Sequence, residues 1–213
     1  MTRALFLMMT AACSAPTGAT MRDAGLPASP LDVAAAPVER TAPPTQDVDG
    51  VTVVPLVGAA PVQIALATDD AEPAVQALLG RQLRSAVAAA TGVPTTLTVT
   101  SDAIVLTLDS PRADLTAAIH ALSTLDLSDL ALASAFRTRP DAMGAVTPDQ
   151  VRSLFDRSAT RSHLLLRAVP GTVGEATVAL RPGSPLSASH PFRQPDASHT
   201  ILARMPRNTL PPN

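Results

Sequence analysis

Cys13 is the only thiol in the 213-residue chain, so no disulfide can form within it. A redox or nucleophilic role for that thiol needs a structured, positively charged setting, and its neighbours Ala11, Ala12 and Ser14 supply none. The other reactive side chains are sparse. There are four histidines, His120, His163, His190 and His199, and three glutamates, Glu39, Glu72 and Glu175. No Gly-x-Ser-x-Gly elbow presents a nucleophilic serine. Lysine is absent and all 16 basic residues are arginine, so Thr172, Val173 and Gly174 cannot belong to a phosphate loop with its lysine. His190 and His199, with Asp196, are a weak metal-binding possibility in a Pro-rich stretch. The periodicity of the helix after Ser110 puts His120 nearly opposite the apolar face, in solvent, and His163 opens a strand as a surface or edge residue. The sequence therefore assigns no catalytic, cofactor or metal residue.

Composition removes further classes. The net charge is −2, and Trp and Tyr are absent with only four Phe, so neither a basic footprint nor stacking platforms for nucleic acid exist. The densest basic region, Arg137, Arg139, Arg152, Arg157, Arg161 and Arg167, is interleaved with Asp141, Asp149 and Asp156 and reads as a mixed solvated surface.

The amino end carries the sharpest motif. Arg3 precedes an apolar run at residues 4–9, and Thr10, Ala11 and Ala12 close it before Cys13. A basic start, a short apolar stretch and small residues make a secretory signal, and about 20 apolar residues would be needed to span a bilayer. With the thiol in the next position the segment resembles a bacterial lipoprotein signal. Thr10 stands where that pattern usually has Leu. The resemblance implies cleavage before Cys13, acylation of its sulfur, and a cell-envelope protein held by membrane lipid. The non-acidic Ser14 favours the outer membrane or cell surface over the inner membrane. A plain secretory signal and an apolar amino end with no export role are the alternatives.

Residues 13–50 hold many prolines and no periodic apolar pattern, and read as a disordered tether. Residues 182–213 read as a Pro-rich tail in which only 200–203 could form a short strand. Between them, 51–181 is one domain. Runs at 51–57 and 62–67 predict two strands, read as a hairpin or a bulged pair. Asp69 and Asp70 offer an N-cap to a helix with Val75, Leu79, Leu83 and Val87 on one face and Gly92 as its stop. Strands at 95–100 and 103–109 follow. Ser110 and Pro111 predict the start of a second helix, Ser128 a third through Phe136, and Thr147-Pro148-Asp149-Gln150 a capping box for a fourth. A strand at 162–169 and a short helix from Val173 complete the pattern. The expected fold class is α+β: a two-layer sandwich with a largely antiparallel sheet and helices on one face.

Several of these segments resemble one domain of the pitrilysin/insulinase-like zinc peptidases, the family that includes the mitochondrial processing peptidases. They are the turn at Ala90, Thr91 and Gly92, the hairpin at 100–108, and the helix opening at 113–119. Thr147 and Pro148 with Phe155, and the apolar strand from His163 to Gly171, follow in the family's order. The resemblance covers roughly residues 51–180. It implies a domain in which active members carry His-x-x-Glu-His on the first helix, two imidazoles holding zinc and a glutamate activating water. Here that helix contains no histidine and only Glu72 as an acid. The expectation is a non-catalytic, metal-free domain that acts as a binding or partner subunit, with an active peptidase-like chain as its partner. The alternatives are a hydrolase of another class with an unplaced Ser or Asp site, and a plain structural envelope lipoprotein.

Overall fold

A computed structural model describes residues 44–69, 71–128, 131–132 and 146–204. Cys13, the signal-like segment, Arg137, Arg139 and most of the third expected helix lie outside the described residues.

Six strands form one open, mostly antiparallel sheet: β1 (Gln46–Val48), β2 (Val51–Pro55), β3 (Val62–Ala67), β4 (Thr95–Val99), β5 (Ala103–Leu108) and β6 (Leu164–Ala168). Their order across the sheet is β1-β2-β6-β3-β5-β4. The helices are α1 (Pro73–Thr91), α2 (Leu115–Ser123), α3 (Pro148–Ser158), α4 (Pro170–Thr177) and α5 (Pro195–Ala203). The α+β class expected from the sequence is the one observed. Among the described residues no helix is long and apolar enough to cross a membrane.

Strand alternation divides the core in two. Val53, Ile64, Leu66, Ile104, Leu106, Leu164 and Leu166 point to the face covered by α1 to α4. The residues between them, Val54, Ala65, Val105 and Leu165, point to the other face, where they meet Phe192, Ile201 and Leu202. On the larger face α1 buries Val75, Leu78, Leu79, Leu83 and Val87, and Gly92 ends it in the left-handed conformation at φ 66°. Thr147 and Gln150 form the reciprocal capping box at the start of α3.

Four expectations change. First, β2 and β3 do not pair with each other. β6 lies between them, parallel to β2 and antiparallel to β3, because its apolar run Leu164 to Leu166, buried on both faces, is suited to a central strand. Second, a strand falls inside the expected tether: β1 forms a two-residue hairpin with β2 through Asp49 and Gly50, both at positive φ, as an Asp-Gly turn of this type requires. Third, residues 182–204 are not a loose tail, and 200–203 are helical rather than extended. That segment lays Phe192, Ile201 and Leu202 on the second face of the sheet, so the sheet carries α-structure on both sides. Arg193 fastens it to the first hairpin, donating to the Asp47 carboxylate, to Thr52 Oγ1 at 3.1 Å and to the Gly50 carbonyl at 3.0 Å. Fourth, the caps of α1 and α2 shift. Glu72 occupies the N-cap of α1 without a side-chain bond, and Asp114 rather than Ser110 caps α2, accepting from the Ala117 amide at 3.0 Å.

Candidate functional site

The carboxylate freed from capping α1 is put to another use. Asp69 follows β3 in the left-handed region, at φ 26°, a conformation that costs an L-residue about 1–2 kcal/mol and that Asp tolerates better than most. Its side chain reaches two imidazoles. His190 Nε2 donates to Asp69 Oδ1 at 3.2 Å, and His163 Nε2 lies 3.9 Å from Oδ2. His190 Nδ1 accepts from the Phe192 amide at 3.2 Å, which fixes its proton on Nε2, facing the acid. Asp69 thus joins the end of β3, the entry to β6 and the carboxyl-terminal segment, from positions as far as 121 residues apart.

His163 closes the 3-10 turn Arg161–His163, which runs straight into β6. Its Nδ1 meets Thr160 Oγ1 at 2.9 Å and Ser162 Oγ at 3.2 Å. A carboxylate at Nε2 favours the tautomer with the proton there, leaving Nδ1 to accept from these hydroxyls. Burial pulls the His163 pKa below its usual value near 6.5; the Asp69 charge pushes it back up and His190 lowers it further. The imidazole is held neutral at neutral pH.

Together these residues form a carboxylate–imidazole–hydroxyl chain at the edge of a cleft of about 500 Å³, lined by Asp156, Arg157, Thr160, His163, Arg181, Gly183 and Ser184. The chain has the order of a hydrolytic triad, but its hydroxyls are covered. Thr160 and Ser162 are each 5% exposed. Gly183, at φ 76°, passes so close that a Cβ there would land on the Thr160 side chain and 2.6 Å from Ser162 Oγ. Both hydroxyls lie within hydrogen-bond reach of the His163 ring, and the network holds the cleft wall in place. Gly183→Ala combines left-handed strain with that overlap and is expected to destabilise the fold by about 3 kcal/mol, measured by chemical denaturation.

No protein-family model matches the chain, and no curated protein matches it.

The remaining candidates fall as follows. His120 is exposed on α2, as the sequence places it. His163 is not a surface residue: its side chain is 14% exposed and sits between Asp69 and two hydroxyls. His190 turns to Asp69 instead of joining His199 and Asp196 in a metal group, and no group of three ligating side chains that could hold a metal occurs among the described residues. The basic region is dispersed: Arg152 bonds Asp149 at 2.9 Å and Arg161 bonds the Leu180 carbonyl at 3.0 Å, while Arg157 faces the cleft. Sequence reading missed Asp69, Arg157, Thr160, Ser162, Arg181 and Gly183 as a group. The local signal was a Thr-Arg-Ser-His run at 160–163; nothing local tied it to Asp69.

The neutral His163 has a consequence for acid stability. The folded state disfavours its protonation, so the unfolded chain binds more protons once the pH falls below about 6.5. Its contribution is fully present above that pH and is lost as the pH falls through the lowered folded value. Denaturation curves recorded from about pH 7.5 down to about pH 5 should show stability falling with acid, and His163→Gln should flatten that fall.

Proposed function

We propose that the protein is a lipid-anchored component of the cell envelope whose α+β domain, similar to a pitrilysin-type domain, serves as a non-catalytic binding or partner subunit. The anchoring part rests on the segment Arg3, residues 4–9, Ala11, Ala12 and Cys13. The observation that carries the rest is the use of α1, the helix on which active members of that family hold zinc. Its inner face is spent on packing: Val75, Leu78, Leu79, Leu83 and Val87 are buried in the core. Its one buried polar side chain, Gln76, is engaged too, its amide nitrogen donating to Thr68 Oγ1 at 2.8 Å and to the Ser101 carbonyl at 3.0 Å. A helix so committed supplies shape and support to an assembly instead of ligands to a metal.

Cross-linking in native membranes, followed by mass spectrometry, tests the partner. The expected result is a specific cross-link to a chain bearing His-x-x-Glu-His. A protein that stays monomeric with no such cross-link, or that purifies with stoichiometric zinc, contradicts the reading.

A second reading, a hydrolase of another class, draws on the Asp69–His163–Thr160/Ser162 chain. It predicts covalent labelling of Thr160 or Ser162 by a hydroxyl-directed phosphonate probe; the covered hydroxyls predict none.

A further inference from the structure

The cleft beside His163 has a charge and a shape that the partner reading does not use. Arg157 lies in the last turn of α3, and Arg181 follows α4 and bridges to Thr160. Both line the same space of about 500 Å³, within the range of about 300–1,000 Å³ in which small-molecule sites fall. The end of α3 favours cations, so its dipole helps to keep Arg157 there.

Two guanidinium groups face one carboxylate. Asp156 holds Arg181 at 3.1 Å, but the two side chains are 65% and 66% exposed, and an ion pair that open is readily exchanged for a ligand. Among the described residues no carboxylate pairs with Arg157. Thr160, Gly183 and Ser184 complete the lining, with Ser184 exposed and Gly183 packed closely on the Thr160 side chain. Arginine presents a planar fork of donors that matches the oxygens of phosphate and carboxylate.

We propose that this cleft binds a small soluble oxyanion, a molecule bearing a phosphate or carboxylate group, with Arg157 and Arg181 as its principal ligands and the exposed Ser184 beside them. His163 serves as a positioning residue: with Asp69, Thr160 and Ser162 it fixes the turn that forms the cleft wall.

Isothermal titration of the full-length protein in detergent, with inorganic phosphate and then succinate at low salt, tests the site. Saturable binding of at least one anion is expected. Arg157→Gln and Arg181→Gln should each weaken it roughly tenfold or more, the usual effect of losing a charged hydrogen bond. Asp156→Asn should tighten it severalfold, because Arg181 is released and a negative charge is removed; a purely structural role for these residues does not predict tighter binding. Arg84→Gln, exposed on α1, should leave the affinity unchanged. The proposal is overturned if neither anion saturates, if Arg84→Gln weakens binding as much as Arg157→Gln, or if Asp156→Asn leaves binding unchanged or weaker. The titration reads the cleft alone, so its failure and a failure of the anchor and partner reading are separate results.

Discussion

If Cys13 carries the proposed lipid, replacing it with alanine is expected to move the protein from the washed membrane fraction into the soluble fraction and to abolish incorporation of labelled fatty acid. The effect should be large, because on this reading the anchor is a single thiol. Cys13 is the only thiol, and the apolar run at residues 4–9 is far shorter than the roughly 20 residues that cross a bilayer. Acyl chains contribute about 0.8 kcal/mol per buried methylene, and a single chain gives only marginal, reversible binding of about 10⁴ M⁻¹. Two or three chains, as the proposed lipoprotein form implies, would convert that into stable retention, which removing their attachment point would abolish. Fatty-acid label persisting in the Cys13→Ala protein, or an unmodified amino end in the wild-type protein from membranes, would count decisively against a lipid anchor.

Truncating Phe192 to alanine should cost about 3–5 kcal/mol, a large share of the roughly 5–15 kcal/mol that holds a domain folded. Phe192 is 1% exposed and is the largest side chain in the second core, with Ile201, Leu202, Val54 and Leu165. Its ring also meets the His190 imidazole edge-on, with centroids 5.3 Å apart, so the truncation loosens the residue that bonds Asp69. Two readouts are expected together: a lower denaturation midpoint, and faster proteolysis within residues 183–204. Val178→Ala, at a side chain 72% exposed, should change neither by a comparable amount. A Phe192→Ala protein as stable as the wild type would mean that the carboxyl-terminal segment does not cover the sheet.

Local pattern and tertiary pairing had different shares in this outcome. The periodic apolar face of α1, the Gly92 stop, the β4–β5 hairpin around Ser101 and Asp102, and the capping box at Thr147 were all legible, because each depends on residues within one or two turns of one another. The Asp49–Gly50 turn was equally local and could have been found; the surrounding prolines drew attention to a tether instead. The Pro-rich carboxyl-terminal segment hid its order for a different reason. Its apolar contacts to the second core, Phe192, Ile201 and Leu202 with the partly buried Leu186, are too few and too irregularly spaced to make a periodic signal. For the candidate site, the residues at 160–163 were adjacent in sequence, but their meaning came from partners far along the chain.

By itself, the sequence determined an α+β domain, the buried faces of α1, α2 and α3, and a lone thiol in a signal-like setting, since periodicity and composition act over short stretches. Only the tertiary structure decided that β6 separates β2 from β3, that residues 190–204 cover the far side of the sheet, and that Asp69 meets His163 and His190. Those are pairings between distant segments, chosen by the closing of one shared core and by the need to give buried polar groups a partner, and no local pattern encodes which distant residue will supply it.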